Sequence, residues 1–103
     1  MPSESQKPLF TISVAADLIK VHPRTLMIYE KKSLTKPYRT SKKRRLYSPE
    51  EVKNLHFIQF LTQHRGVNLN GVQVLLQALE IAQKEGVDLK KLLFPDYKEI
   101  TIF

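Results

Sequence analysis

The chain has 103 residues, 42% of them hydrophobic and 26% charged, with no cysteine and a formal net charge of +7. That length supports one compact domain, and the missing thiols exclude disulfides, thiolate metal sites and thiol redox sensing. No stretch reaches the roughly 18 apolar residues of a membrane helix, and the opening MPSESQKPLF lacks a signal-peptide run, so the expected compartment is the cytoplasm.

Residues 1–9 read as a flexible leader. Ser13 then offers a helix cap, and Val14, Ala15, Leu18 and Ile19 recur at helical spacing, which predicts a helix over about 14–20. Pro23 suits the first position of a second helix, where its missing N–H costs nothing. That helix runs over 23–31. Only Lys20 to His22 lie between the two, and a short turn between short helices marks a helix-turn-helix. Leu26 and Tyr29 face the first helix. Arg24, Thr25 and Ile28 point the other way, with Met27 and Lys31 at the flank. Residues 33–47 form a non-helical excursion, because Pro37 disfavours helix at Lys36. TSKK is turn-like and RRLY reads as the return strand of a small hairpin, a wing.

Ser48-Pro49-Glu50-Glu51 is a capping box with proline at the first helical position. It predicts a third helix over 49–64 with Val52, Leu55, Ile58 and Leu61 on its core face, stopped by Gly66. Asn68 caps a fourth helix over 69–85 with a wide stripe of Leu69, Val72, Leu75, Leu76 and Leu79, ended by Gly86. Asp88 caps a short helix to about 93, and the tail KEITIF alternates like a strand.

Charge is concentrated in one segment. Residues 20–47 hold ten Lys and Arg against one acid, Glu30, while the remainder holds seven bases and nine acids. A local excess of this size indicates a polyanion partner more than general solubility. A helix-turn-helix presents its second helix to the major groove of double-stranded DNA. Here it offers Arg24, Thr25 and Ile28 to base edges, with Lys31 beside them and His22 at the helix start or a phosphate. Arg39, Lys42, Lys43, Arg44 and Arg45 on the wing are placed for the phosphate backbone, setting affinity and register while the helix reads sequence.

The segments ISVAADLIKVHPRTLMIYEKKSL and RRLYSPEEVKNLHFIQFLTQHRGVNLNGVQVLL resemble the DNA-binding domain of the MerR family of transcription regulators. VHPRTL, RRLYS and GVNLNGV are most similar to its branch of HspR-like heat-shock repressors. The resemblance covers about residues 10–80. It implies a mainly α, winged helix-turn-helix fold with a two-stranded wing, homodimerisation, an inverted-repeat operator, negative control of chaperone genes, and a DnaK-type chaperone as corepressor. It also implies DNA contacts at Ser13, Arg24, Thr25, Arg44, Arg45 and Tyr47, with Tyr47 partly in the core and its hydroxyl at a phosphate. Met27 and Ile28 depart from the Arg and Tyr usual in the family, which bears on base preference. The family's long dimerisation helix has no counterpart here. Residues 10–85 are therefore read as the DNA-binding domain and 86–103 as a dimerisation or partner segment, with Leu89, Leu92, Leu93, Phe94, Ile100, Ile102 and Phe103 as its apolar contacts.

Two other readings stay open. A chaperone-modulator adaptor has a similar small helical domain but needs no basic wing. An excisionase-like architectural protein also bends DNA with a winged helix. Catalysis has no foothold, since no nucleophile–base pair or phosphate loop is visible and the cap explains Glu50 and Glu51. His22, His56 and His64 are too scattered for a metal site, and no cofactor is expected. Phe57 and Phe60 are expected to pack on the first helix or the wing base.

Overall fold

The structure, a computed structural model, describes residues 3–102. The element order is β1 (Phe10–Thr11), α1 (Ile12–Leu18), α2 (Pro23–Lys31), β2 (Tyr38–Arg39), β3 (Arg45–Tyr47), α3 (Pro49–His64), α4 (Leu69–Lys84) and α5 (Leu89–Leu93). Among the described residues the chain divides into two compact units, 3–57 with 100–102, and 58–99.

In the first unit, β3 is the central strand of a three-stranded antiparallel sheet ordered β1-β3-β2. Phe10 pairs with Tyr47 and Thr11 with Leu46, while Tyr38 and Arg39 face Leu46 and Arg45. The wing is therefore two strands plus one from the segment ahead of α1. The leader is also more structured than expected. Glu4–Gln6 forms one 3₁₀ turn, Lys7 pairs with Glu4, and Leu9 N–H donates to the Tyr47 carbonyl.

Pairing of β1 explains why α1 starts early. Thr11 leaves the ladder with extended φ and ψ and accepts a hydrogen bond from Val14 N–H, so Thr11 is the cap and Ser13 lies inside the first turn. The buried face is Ala15, Ala16 and Ile19, with Val14 exposed. The helix ends through Val21 N–H on the Ala16 carbonyl and Lys20 N–H on that of Asp17, with Lys20 at φ 59°. This is a left-handed terminator in which lysine replaces the usual glycine. His22 then caps α2, its Nδ1 accepting from Arg24 N–H at 3.0 Å, with Pro23 behind it. Leu26 and Tyr29 are buried on the inner face as the spacing predicts.

The capping box at α3 forms as read: Glu51 N–H donates to Ser48 Oγ and Ser48 N–H to Glu51 Oε1, at 3.1 and 3.0 Å. Ser48 is buried, so water cannot replace the bond. We expect Ser48→Ala to cost about 1–2 kcal/mol, read as a lower urea midpoint at unchanged slope.

In the second unit Ile58, Leu61 and Val72 are buried. Asn68 Oδ1 accepts from Gly71 N–H at 2.7 Å, and a Cβ on Gly71 would lie 2.9 Å from Val67 Cγ1. The NLNG spacing thus reflects a cap with no room for a side chain at its third position. Phe60 meets Phe94 edge-on and Tyr97 at a tilt, with Arg65 over Phe60 and Phe94 and hydrogen-bonded to Asp96 at 2.8 Å. Phe60 is thus packed by the C-terminal aromatics, and Phe57 is buried. Residues 98–102 form no strand. Alternation alone does not make one, because a strand needs a ladder to join.

Candidate nucleic-acid interface

The first unit presents α2 and the wing. On the outer side of α2, Arg24 and Lys31 are exposed, Met27 and Ile28 are 42% and 45% exposed, and Thr25 is half-buried. Apolar side chains left in water on a short helix whose opposite face is fully used point to contact with a partner. Ser13, released from capping, is exposed on the first turn of α1. His22 spends Nδ1 on its cap, and the residue is exposed.

The wing loop closes through Lys43 N–H on the Thr40 carbonyl, Thr40 N–H on the Arg44 carbonyl and Arg44 N–H on Thr40 Oγ1. Lys43 adopts φ 63° at the tip. Lys42, Lys43 and Arg44 are exposed and make no side-chain ion pair among the described residues.

Two wing arginines behave differently. Register places Arg39 opposite Arg45, a like-charge pair that would repel. Glu30, in the last turn of α2, resolves it. Its Oε1 accepts from Arg45 Nε at 2.7 Å and its Oε2 from Arg39 Nη2 at 3.0 Å. Arg39 Nη1 also donates to the Lys43 carbonyl at 3.1 Å. Partial burial opposes ionisation of Glu30, but the hydrogen bonds and charges of Arg45 and Arg39 outweigh it and hold the carboxyl below its ordinary value. The five-cation wing of the sequence reading is corrected to three unpaired cations, Lys42, Lys43 and Arg44, and two, Arg39 and Arg45, that share the one carboxylate of Glu30. The signal was in the sequence: Glu30 is the one acid of residues 20–47.

Tyr47 is a second correction. It is fully buried, and its hydroxyl has no hydrogen-bond partner among the described residues. As the last residue of β3, paired with Phe10, it turns its ring inward, away from any phosphate. Burial, reinforced by Glu30 and Glu51 against Arg45 and Arg39, pushes its hydroxyl up to about 12. Because the folded value exceeds the ordinary 10.0, its contribution is intact below about pH 10 and is lost as pH rises toward about 12. We expect Tyr47→Phe to keep or raise stability, by up to about 1 kcal/mol, since an unsatisfied buried hydroxyl is removed. Alkaline unfolding followed by circular dichroism should shift upward, and DNA affinity should be unchanged.

The apolar C-terminal residues divide between the two units. Leu92 and Leu93 are 70% and 48% exposed, Leu89 is half-buried, and Phe94 is engaged with Phe60. Ile100 and Ile102 are half-buried in the first unit, and Phe103 lies outside the described residues. Among the described residues no group of His, Asp and Glu is arranged to hold a metal, and no helix is long and apolar enough to cross a membrane.

A helix-turn-helix here carries a sheet-based basic wing, and the family model described as MerR HTH family regulatory protein matches residues 10–79. The chain belongs to the MerR HTH family. The matched span is accordingly a helix-turn-helix domain of the DNA-binding regulator type. Over 70 residues it is 39% identical to a Streptomyces coelicolor protein named heat shock protein HspR, a stretch that covers 68% of this chain and 46% of that protein. Over 94 residues it is 36% identical to the HTH-type transcriptional regulator GlnR of Bacillus anthracis and of Bacillus cereus, covering 91% of this chain and 68% of each. The chain thus spans about half the length of the HspR relative. In this MerR HTH chain the matched span holds α1, α2, the wing and α3, so every exposed cation of the candidate interface falls within it.

Proposed function

We propose that this protein is a cytoplasmic, dimeric, sequence-specific repressor of heat-shock or chaperone genes, binding an inverted-repeat operator. The carrying observation is the pairing of an outward α2 face, Arg24, Thr25 and Ile28, with a wing whose tip is tied to the same helix through Arg39 and whose Lys42, Lys43 and Arg44 face solvent. Helix α2 enters the major groove and the wing cations take phosphates beside it. Identity to a protein named for heat shock supports the regulated genes. A DnaK-type chaperone is the corepressor implied by that likeness. Residues 10–85 carry DNA binding. The solvent-facing Leu92 and Leu93 of α5, with Val74 and Ile81 of α4 and the half-buried Leu89, supply apolar surface for a second copy. Two-fold symmetry then requires a palindromic operator.

The test is selection of bound fragments from random duplex DNA. A two-fold symmetric motif is expected, found upstream of chaperone genes. With about four phosphates neutralised per subunit, log K should fall with log salt at a slope of about −7. A slope near −1, or recovery of no motif, overturns the reading. Arg24→Ala is expected to weaken the selected site by about 1–3 kcal/mol while sparing random duplex, measured by competitive titration.

A further inference from the structure

The basic wing carries its own restraint. Without Glu30, Arg39 and Arg45 would repel each other across the ladder and turn outward to any nearby phosphate. With it, both guanidinium groups are held on one carboxylate that belongs to α2. The chain of bonds continues outward, because Arg39 uses its second nitrogen on the Lys43 carbonyl at the wing tip. A continuous path thus runs from the last turn of α2, through Glu30 and Arg39, to the backbone that carries Lys42, Lys43 and Arg44. The carboxylate is only 21% exposed and Arg45 25%, so water competes weakly for that bond, while Arg39, 43% exposed, stays more open to solvent.

We propose that Glu30 is a specificity-determining positioning residue: it withholds Arg39 and Arg45 from indiscriminate phosphate contact and sets the spacing between the reading helix and the wing tip. Backbone contacts add affinity to every sequence alike, whereas discrimination depends on presenting α2 at one fixed depth and angle. Glu30 serves both ends. Its one negative charge lowers the sequence-independent attraction while it holds two guanidinium groups per subunit off the backbone, and it fixes the register in which the remaining cations meet the backbone. This rests on the DNA-binding reading above.

Glu30→Gln separates the effects, because the amide keeps the side-chain volume and one acceptor oxygen while removing the charge. The protein is titrated with its selected operator and with a scrambled duplex of equal length across a salt series. Scrambled-duplex binding should tighten, with a slope steeper by up to about 2 per subunit, and the operator-to-scrambled ratio should fall by about tenfold or more. Glu30→Asp should restore part of the ratio. A purely structural role predicts a different pattern: equal weakening on both duplexes in step with a lower Tm, and no steeper slope. That pattern, or an unchanged ratio and slope, overturns the proposal. Arg39→Gln, which removes an exposed side chain, gives a second reading independent of whether the Gln variant folds. It frees the wing tip and leaves Glu30 on Arg45, so the ratio should fall without a steeper slope; an unchanged ratio overturns the proposal. Wild-type protein that binds neither duplex would instead bring down the DNA-binding reading, and this inference with it.

Discussion

Replacing Lys42, Lys43 and Arg44 together by glutamine is expected to abolish practical DNA binding. These three side chains are exposed and unpaired, so each is available to displace one condensed counterion. In the proposed dimer six such charges act, each worth about 0.9 in the salt slope. The slope should therefore weaken by about 5, and affinity at about 0.1 M salt should fall by roughly 10⁵-fold. Operator and random duplex should suffer alike, since phosphates carry no sequence information. Stability should move by less than about 0.5 kcal/mol, because surface substitutions without buried partners are nearly neutral. Fluorescence anisotropy over a salt series measures the first effect and urea denaturation the second. A loss confined to the operator would mean that the wing reads bases, and the division of labour between wing and helix would be wrong.

The second large effect is on folding. Leu26 is fully buried on α2, directly behind the face that carries Arg24, Thr25 and Ile28. Leu26→Ala removes its packing and leaves a cavity, at a cost of about 2–5 kcal/mol. A domain of this size holds about 5–15 kcal/mol in all, so one side chain carries a large share of the margin. Apparent DNA affinity should fall with the folded fraction and recover on cooling toward the temperature of maximum stability. Ile28→Ala is the matched control. It lies two residues away but is 45% exposed, so stability should hold while discrimination among sites changes. The pair separates the two faces of one short helix, and equal urea midpoints would contradict the burial pattern.

Acid behaviour follows from the same cluster. The Glu30 carboxyl is held below its ordinary value of 4.5 by Arg45 and Arg39 despite partial burial. Its contribution to stability is therefore present above that ordinary value and is lost as pH falls through the lower folded value. Glu30→Gln should flatten this part of the acid limb.

Local chemistry made much of the fold legible before any coordinates. The Ser48–Glu51 box, the Asn68 cap and the proline at the start of α2 act within three or four residues, and each fulfils its sequence reading. The Leu26/Tyr29 face and the α3 stripe are equally local, because helical spacing alone sets which side chains share a side. The basic segment needed nothing more than counting.

What the tertiary structure decided lies in pairs far apart in sequence. β1 exists only because β3 offers it a ladder, and that pairing moved the first cap from Ser13 to Thr11. Tyr47 became core because its strand position turns it inward. Arg39 and Arg45 changed from free cations to anchored ones through a carboxylate nine and fifteen residues away. Residue types dictate that charge must gather here, since sign and number are properties of the chain. Which of those charges remain available to a partner depends on who stands next to whom once the strands and helices close, and the strength of an ionic contact depends on a distance that only folding sets.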